Sequence, residues 1–86
     1  MKKITTTAGH IAYEVTAAET HRLGGLGICD DCNANPPHGY LISVMNHFQC
    51  PECFEDWCNR TVCYDEDAPI EAKNAEYYEL MIPLEA

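Results

Sequence analysis

The stretch Cys29-Asp-Asp-Cys32, followed after seventeen residues by Cys50-Pro-Glu-Cys53, decides the reading of this 86-residue chain. Two Cys-x2-Cys pairs at hairpin-length separation bring four thiolates within reach of one tetrahedral zinc ion. With Cys29, Cys32, Cys50 and Cys53 as ligands, every position is filled by protein and none remains for water or substrate. The metal is therefore expected to be a single structural Zn²⁺ rather than a catalytic one. A chain this short buries a low fraction of its surface, so a staple is expected. Structural zinc supplies on the order of 10–16 kcal/mol of apparent binding free energy in small finger peptides. A typical domain has a net stability of roughly 5–15 kcal/mol. Folding and metal loading are accordingly predicted to be one event.

The six cysteines also fit a disulfide framework, which is the competing reading. Against it, Met1-Lys2-Lys3-Ile4-Thr5-Thr6-Thr7 has a positive cluster with no apolar run behind it, so no signal peptide is read there. No stretch is long and apolar enough to span a bilayer. Paired knuckles in such a chain predict zinc-held thiolates in the cytoplasm.

Outward from the knuckles, Asn33-Ala34-Asn35-Pro36-Pro37-His38-Gly39 reads as loop. Tyr40 to Met45 reads as a strand, Asn46-His47 as a turn, and Phe48-Gln49 as the return strand. A helix over residues 53–63 follows, with Phe54, Trp57, Cys58, Thr61 and Val62 at i, i+3, i+4, i+7 and i+8 forming one apolar stripe. Asp65-Glu66-Asp67-Ala68-Pro69 breaks it. A last helix begins with Asp67 as N-cap and places Ile70, Asn74, Tyr77, Tyr78 and Met81 inward, until Pro83 stops it. Upstream, Ile4 and Thr6 before Ala8-Gly9, then Ile11, Tyr13 and Val15, alternate at period two, a β-hairpin over residues 3–15. Thr16-Ala17-Ala18-Glu19 is a capping-box pattern for a short helix, ended by Leu23 and Gly24-Gly25.

The order knuckle, hairpin, second knuckle at a helix start resembles the treble-clef zinc finger over residues 28–62. The C-x2-C-x17-C-x2-C spacing is also that of the GATA-type finger, a DNA-binding member of that group. Carried over residue by residue, the resemblance implies Cys29, Cys32, Cys50 and Cys53 as ligands and nothing further. Where those fingers follow the helix with a basic tail, Tyr64-Asp65-Glu66-Asp67 stands here. The whole chain is similar to short zinc-finger proteins of bacteria and their mobile elements, which implies a bacterial, cytoplasmic setting.

Charge narrows the function. The net charge is −9, and it falls unevenly: the balance is −1 over residues 1–49 and −8 over residues 50–86. Five Lys and Arg against fourteen acids cannot neutralise a run of phosphates, so direct nucleic-acid binding is disfavoured. An acidic C-terminal helix carrying Glu71, Glu76 and Glu79, with Tyr77 and Tyr78 nearby, suits a protein with a basic surface. These glutamates are expected to point away from the apolar stripe. A nucleic-acid regulator, an acidic mimic of nucleic acid, and a redox or metal-handling protein are the alternatives.

No nucleophile–base pattern is visible and no enzyme is predicted. Cys58 reads as a core thiol and Cys63 as a free one at the helix end. His47, three residues before Cys50, is the one histidine placed to replace a cysteine ligand, and a LIM-like two-metal arrangement would enlist it with Cys58 and Cys63. His10, His21 and His38 read as surface or loop residues. Asp30 and Asp31, repelled by the thiolates, are expected to point outward. The predicted architecture is one small α+β domain over 1–86: an N-terminal hairpin and short helix (1–27), a four-cysteine finger (28–63), and an acidic C-terminal helix (64–86).

Overall fold

The alternation of Lys2–Thr5 (β1) and Ile11–Thr16 (β2) produces the predicted hairpin, with Lys3 opposite Tyr13 and Ile4 opposite Ala12. The computed structural model describes residues 1–85. Thr16 then caps the short helix α1 (Ala17–Thr20). Its hydroxyl accepts the Glu19 N–H at 3.1 Å, and the Glu19 carboxylate accepts the Thr16 N–H at 2.9 Å. A 3-10 turn, His21–Leu23, ends on Gly24 at φ 80°, the left-handed cap that glycine adopts without penalty.

The second hairpin is β3 (His38–Ile42) with β4 (His47–Gln49). β3 starts and ends earlier than the predicted Tyr40–Met45. Residues 43–46 make a four-residue turn that needs Asn46 at φ 55°, so Ser43 to Met45 leave the strand. At Gly39 a Cβ would collide with the Gln49 carbonyl oxygen and lie 2.8 Å from Phe48 Cζ, so the close pairing of β3 with β4 requires glycine there. Pairing of β2 with β3 was not anticipated. Val15 lies opposite Gly39 and Tyr13 opposite Leu41, which joins the two hairpins into one antiparallel sheet, β1-β2-β3-β4. The α+β class is as predicted.

Helix α2 runs Pro51–Arg60, not 53–63. Cys50 is its N-cap and Pro51 its first residue, where a missing N–H is harmless. It ends early because Thr61 turns extended, at ψ 154°, which leaves Val62 and Cys63 off the helix and exposed. Phe54 stacks on Tyr40 with centroids 4.0 Å apart, fixing α2 to one face of the sheet.

Helix α3 (Ala68–Met81) covers the other face. Asp67 stands at its N-cap position, after a 3-10 turn at Asp65–Asp67, but makes no side-chain cap bond. The core between them holds Tyr13, Val15, Leu41, Phe48, Ala75, Tyr78 and Ile82. The predicted inner face is corrected by about a quarter of a turn. Ile70, Tyr77 and Met81 are exposed, whereas Glu71, Asn74, Ala75, Tyr78 and Glu79 turn inward. Polar partners in the β3–β4 turn explain the choice: Asn74 Nδ2 donates to the Ser43 carbonyl at 2.8 Å, and Tyr78 Oη donates to Asn46 Oδ1. Among the described residues, no helix is long and apolar enough to cross a membrane.

Candidate metal centre

Each cysteine pair is shaped by its own backbone before any metal is considered. In the first, the Asn33 N–H donates to the Cys29 carbonyl at 2.9 Å, and Asn33, at φ 64°, turns the chain so that Cys29 N–H meets the Ala34 carbonyl. In the second, the Phe54 N–H donates to the Cys50 carbonyl, opening α2. Asp30 ties the two halves together. Its N–H donates to the Phe48 carbonyl at 2.9 Å, and its carboxylate accepts the Phe48 N–H at 2.8 Å. Asp31 accepts from Gln49 Nε2 at 2.8 Å. Both aspartates are exposed, yet they point back to β4 rather than away from the site as predicted. Bonds to neutral donors on β4 outweigh repulsion from the sulfurs.

The result is one cluster. Sγ of Cys29, Cys32, Cys50 and Cys53 all lie within 4.8 Å of one another, Cys32 and Cys50 at 3.7 Å, and no cysteine is in a disulfide. A tetrahedral ion with Zn–S bonds near 2.3 Å sets its sulfurs about 3.7–3.8 Å apart. The pocket size and donor set thus fit a metal ion held by four thiolates. Among the described residues this is the one group of three or more metal-capable side chains.

Local electrostatics favour charge on sulfur at Cys29 and resist it at Cys50 and Cys53. Burial disfavours the Cys29 thiolate, but N–H groups of Cys50, Cys32 and Asp31 outweigh it and bring the pKa down to about 7. Cys50 receives the Cys53 N–H, but burial and the neighbouring sulfurs of Cys32 and Cys29 leave its pKa raised. Cys53, facing Cys50 and Cys32, is raised as well. Four sulfurs this close can all be thiolates only with a cation among them.

The remaining sequence candidates lie outside the cluster. Cys58 is half-buried under the sheet with its thiol pKa raised by burial, as a core thiol should be. Cys63 is exposed. His47 sits in the β3–β4 ladder opposite Ile42, its Nδ1 buried without a partner. His21 and His38 are exposed, as read.

His10 is not exposed but buried at 2%, a correction with a clear cause. Its ring packs on Trp57 at 4.9 Å, Nδ1 lies 3.3 Å from Glu71 Oε2, and Nε2 lies 3.3 Å from Thr61 Oγ1. The same Glu71 oxygen accepts the Ile11 N–H at 3.1 Å. Glu79 likewise accepts from Tyr13 Oη and pairs with Lys3 at 3.0 Å. Of the three glutamates expected on an outer acidic face, only Glu76 is fully exposed. The hydroxyl–imidazole–carboxylate chain Thr61–His10–Glu71 has the order of a nucleophile relay. With His10 buried between its two partners, the chain ties the end of α2, the first hairpin and α3 together. Nothing in local sequence signals this tie, because its members are 51 and 61 residues apart. No family model, curated protein or solved structure matches the chain.

Proposed function

We propose that this chain is a structural-zinc interaction module, built like a treble-clef finger and serving to bind a protein with a basic surface. The observation that carries the metal is the set of four sulfurs within 4.8 Å of one another, one pair of them at 3.7 Å. Four thiolates leave the ion no open position, so it organises structure and does no chemistry. Support for the treble-clef reading is the chain order: first pair, β3–β4 hairpin, second pair on the first turn of α2. Free N–H groups of that first turn favour the negative charge of a four-thiolate centre.

For the partner, support comes from charge. Asp30, Asp31, Glu52, Glu55 and Asp56 are exposed on the two knuckles and α2, where Arg60 is the one base and is already paired with Asp56. An acidic surface accelerates encounter with a basic one and weakens with salt. The test couples both halves. Metal analysis of purified protein should return one zinc per chain. The Glu52→Lys/Glu55→Lys variant should keep that zinc while losing basic proteins captured by the parent from cell extract. A metal-free folded protein, or an identical capture profile, refutes the corresponding half.

A further inference from the structure

The two edges of the sheet are finished differently. At the β4 edge, Asp30 closes both main-chain groups of Phe48. At the other edge, β1 pairs among the described residues only with β2. Extended chain already uses the first position of that edge: Met1 N donates to the Pro83 carbonyl and the Glu85 N–H donates to the Met1 carbonyl, both at 2.9 Å. In an antiparallel strand alternate residues aim their N–H and C=O to the same side. Lys3 and Thr5 therefore present theirs on the side Met1 does, and among the described residues neither makes a main-chain bond beyond the β1–β2 ladder.

Beside this open edge, between β1 and α3, runs a groove of about 390 Å³. Ile11, Ala72, Ala75 and Leu80 line it, the two alanines giving it depth and Leu80, 77% exposed, standing at its side. The Lys3–Glu79 pair also borders it. Glu76 lies in the same wall, exposed and outside every salt bridge among the described residues.

We propose that this groove takes an extended peptide segment, which adds as a strand to β1, seats an apolar side chain over Ala72 and Ala75, and sets an adjacent Lys or Arg against Glu76. The proposal rests on the protein-interaction reading above and adds a second contact surface to it, on the α3 side of the sheet. A row of unmet strand groups is complemented by extended backbone, with side-chain pockets supplying selectivity. Pro83–Glu85 shows that this edge accepts such backbone. A second copy is a poor occupant. Pairing β1 with β1 would put Lys2 and Lys3 of both chains into the seam, where edge lysines oppose self-pairing, and would join two chains of charge −9.

A phage library of random decapeptides, selected on the zinc-loaded full chain, tests this. Counter-selection uses Ala72→Leu, which fills the groove at an exposed helical position and leaves the cysteines untouched. Enriched sequences should carry a large apolar residue flanked by Lys or Arg. Their synthetic peptides should lose binding by roughly tenfold or more on Ala72→Leu, and again when alternate peptide nitrogens are methylated, which removes donors but no side chain. Equal enrichment on both proteins, or indifference to methylation, overturns strand addition. Sedimentation showing a dimer with β1 amides protected at its interface assigns the edge to a second copy and equally overturns it. Failure here leaves the Glu52/Glu55 capture result standing, so the two readings fall separately.

Discussion

Truncating Glu71 to alanine should destabilise this protein far more than truncating Glu76, five residues along the same helix. The Glu71 side chain is 13% exposed and its Oε2 meets two groups, the Ile11 N–H at 3.1 Å and His10 Nδ1 at 3.3 Å. A buried group left without its partner costs about 1–3 kcal/mol. Partial access of water to the vacated space reduces the sum, so a loss of about 2–4 kcal/mol is expected for Glu71→Ala. Glu76→Ala, at a solvated position, should stay within about 0.5 kcal/mol. For a domain of this size those differences correspond to a Tm fall on the order of 10–25 °C against one of a few degrees. Glu71→Gln keeps an acceptor oxygen and should lie between, near 1 kcal/mol. Thermal and urea melts at fixed free zinc are the assay, since bound metal raises apparent stability by mass action. Trp57 is the single tryptophan, and its contact with His10 makes its fluorescence a direct report on this corner. If Glu71→Ala melts with Glu76→Ala, the His10–Glu71 tie contributes nothing and α3 is held by its apolar contacts and the ties at Asn74, Tyr78 and Glu79.

Cys50→Ser should abolish zinc binding and folded protein, while Cys58→Ala keeps one zinc per chain and costs about 1–3 kcal/mol; metal analysis with circular dichroism decides, and zinc loss from Cys58→Ala would refute the ligand set. Gly39→Ala should lower stability by about 1–3 kcal/mol through overpacking against Gln49 and Phe48, and an unchanged urea midpoint would refute that close approach. The Tyr13 hydroxyl and Lys3 hold Glu79 below its ordinary value near 4.5, so its contribution is complete above that pH and is lost as pH falls through the lower folded value. Glu19 is also held low: burial opposes its ionisation, but the Thr16 N–H and the Met1 amino group prevail. The urea-midpoint gap between wild type and Glu79→Gln should accordingly narrow as pH drops from neutrality towards 4, and a constant gap would count against the ion pair.

What the sequence made legible was local. The capping box at Thr16 and Glu19, the first hairpin and the Gly24 cap each depend on residues a few positions apart, the cysteine cluster on two such pairs at a fixed separation, and each is present. Pairing of β2 with β3 depends on residues separated by residues 17–37, which carry no period-two signal, so two hairpins were legible where one sheet exists. The face of α3 was misread because that helix is apolar on both sides. Glu71, Asn74, Ala75, Tyr78 and Ile82 do follow i, i+3, i+4, i+7 and i+11, but two polar members conceal the stripe until their partners at Ile11 and Ser43 are known. His10 went the same way, since a histidine beside a glycine turn carries no mark of the carboxylate that buries it.

The four polar ties of α3, at Glu71, Asn74, Tyr78 and Glu79, bear on how the chain tolerates changes of length. An apolar helix face shifted by a residue still finds apolar neighbours. Here one extra residue between Glu71 and Asn74 would rotate everything beyond it by about 100°. Asn74, Tyr78 and Glu79 would lose their partners together, while Glu71 kept its own. The same residue added among Tyr64–Asp67, before the first tie, would be absorbed by an exposed turn. Length variants of this protein should therefore sort sharply by position: permissive ahead of Ala68, intolerant from Glu71 to Glu79.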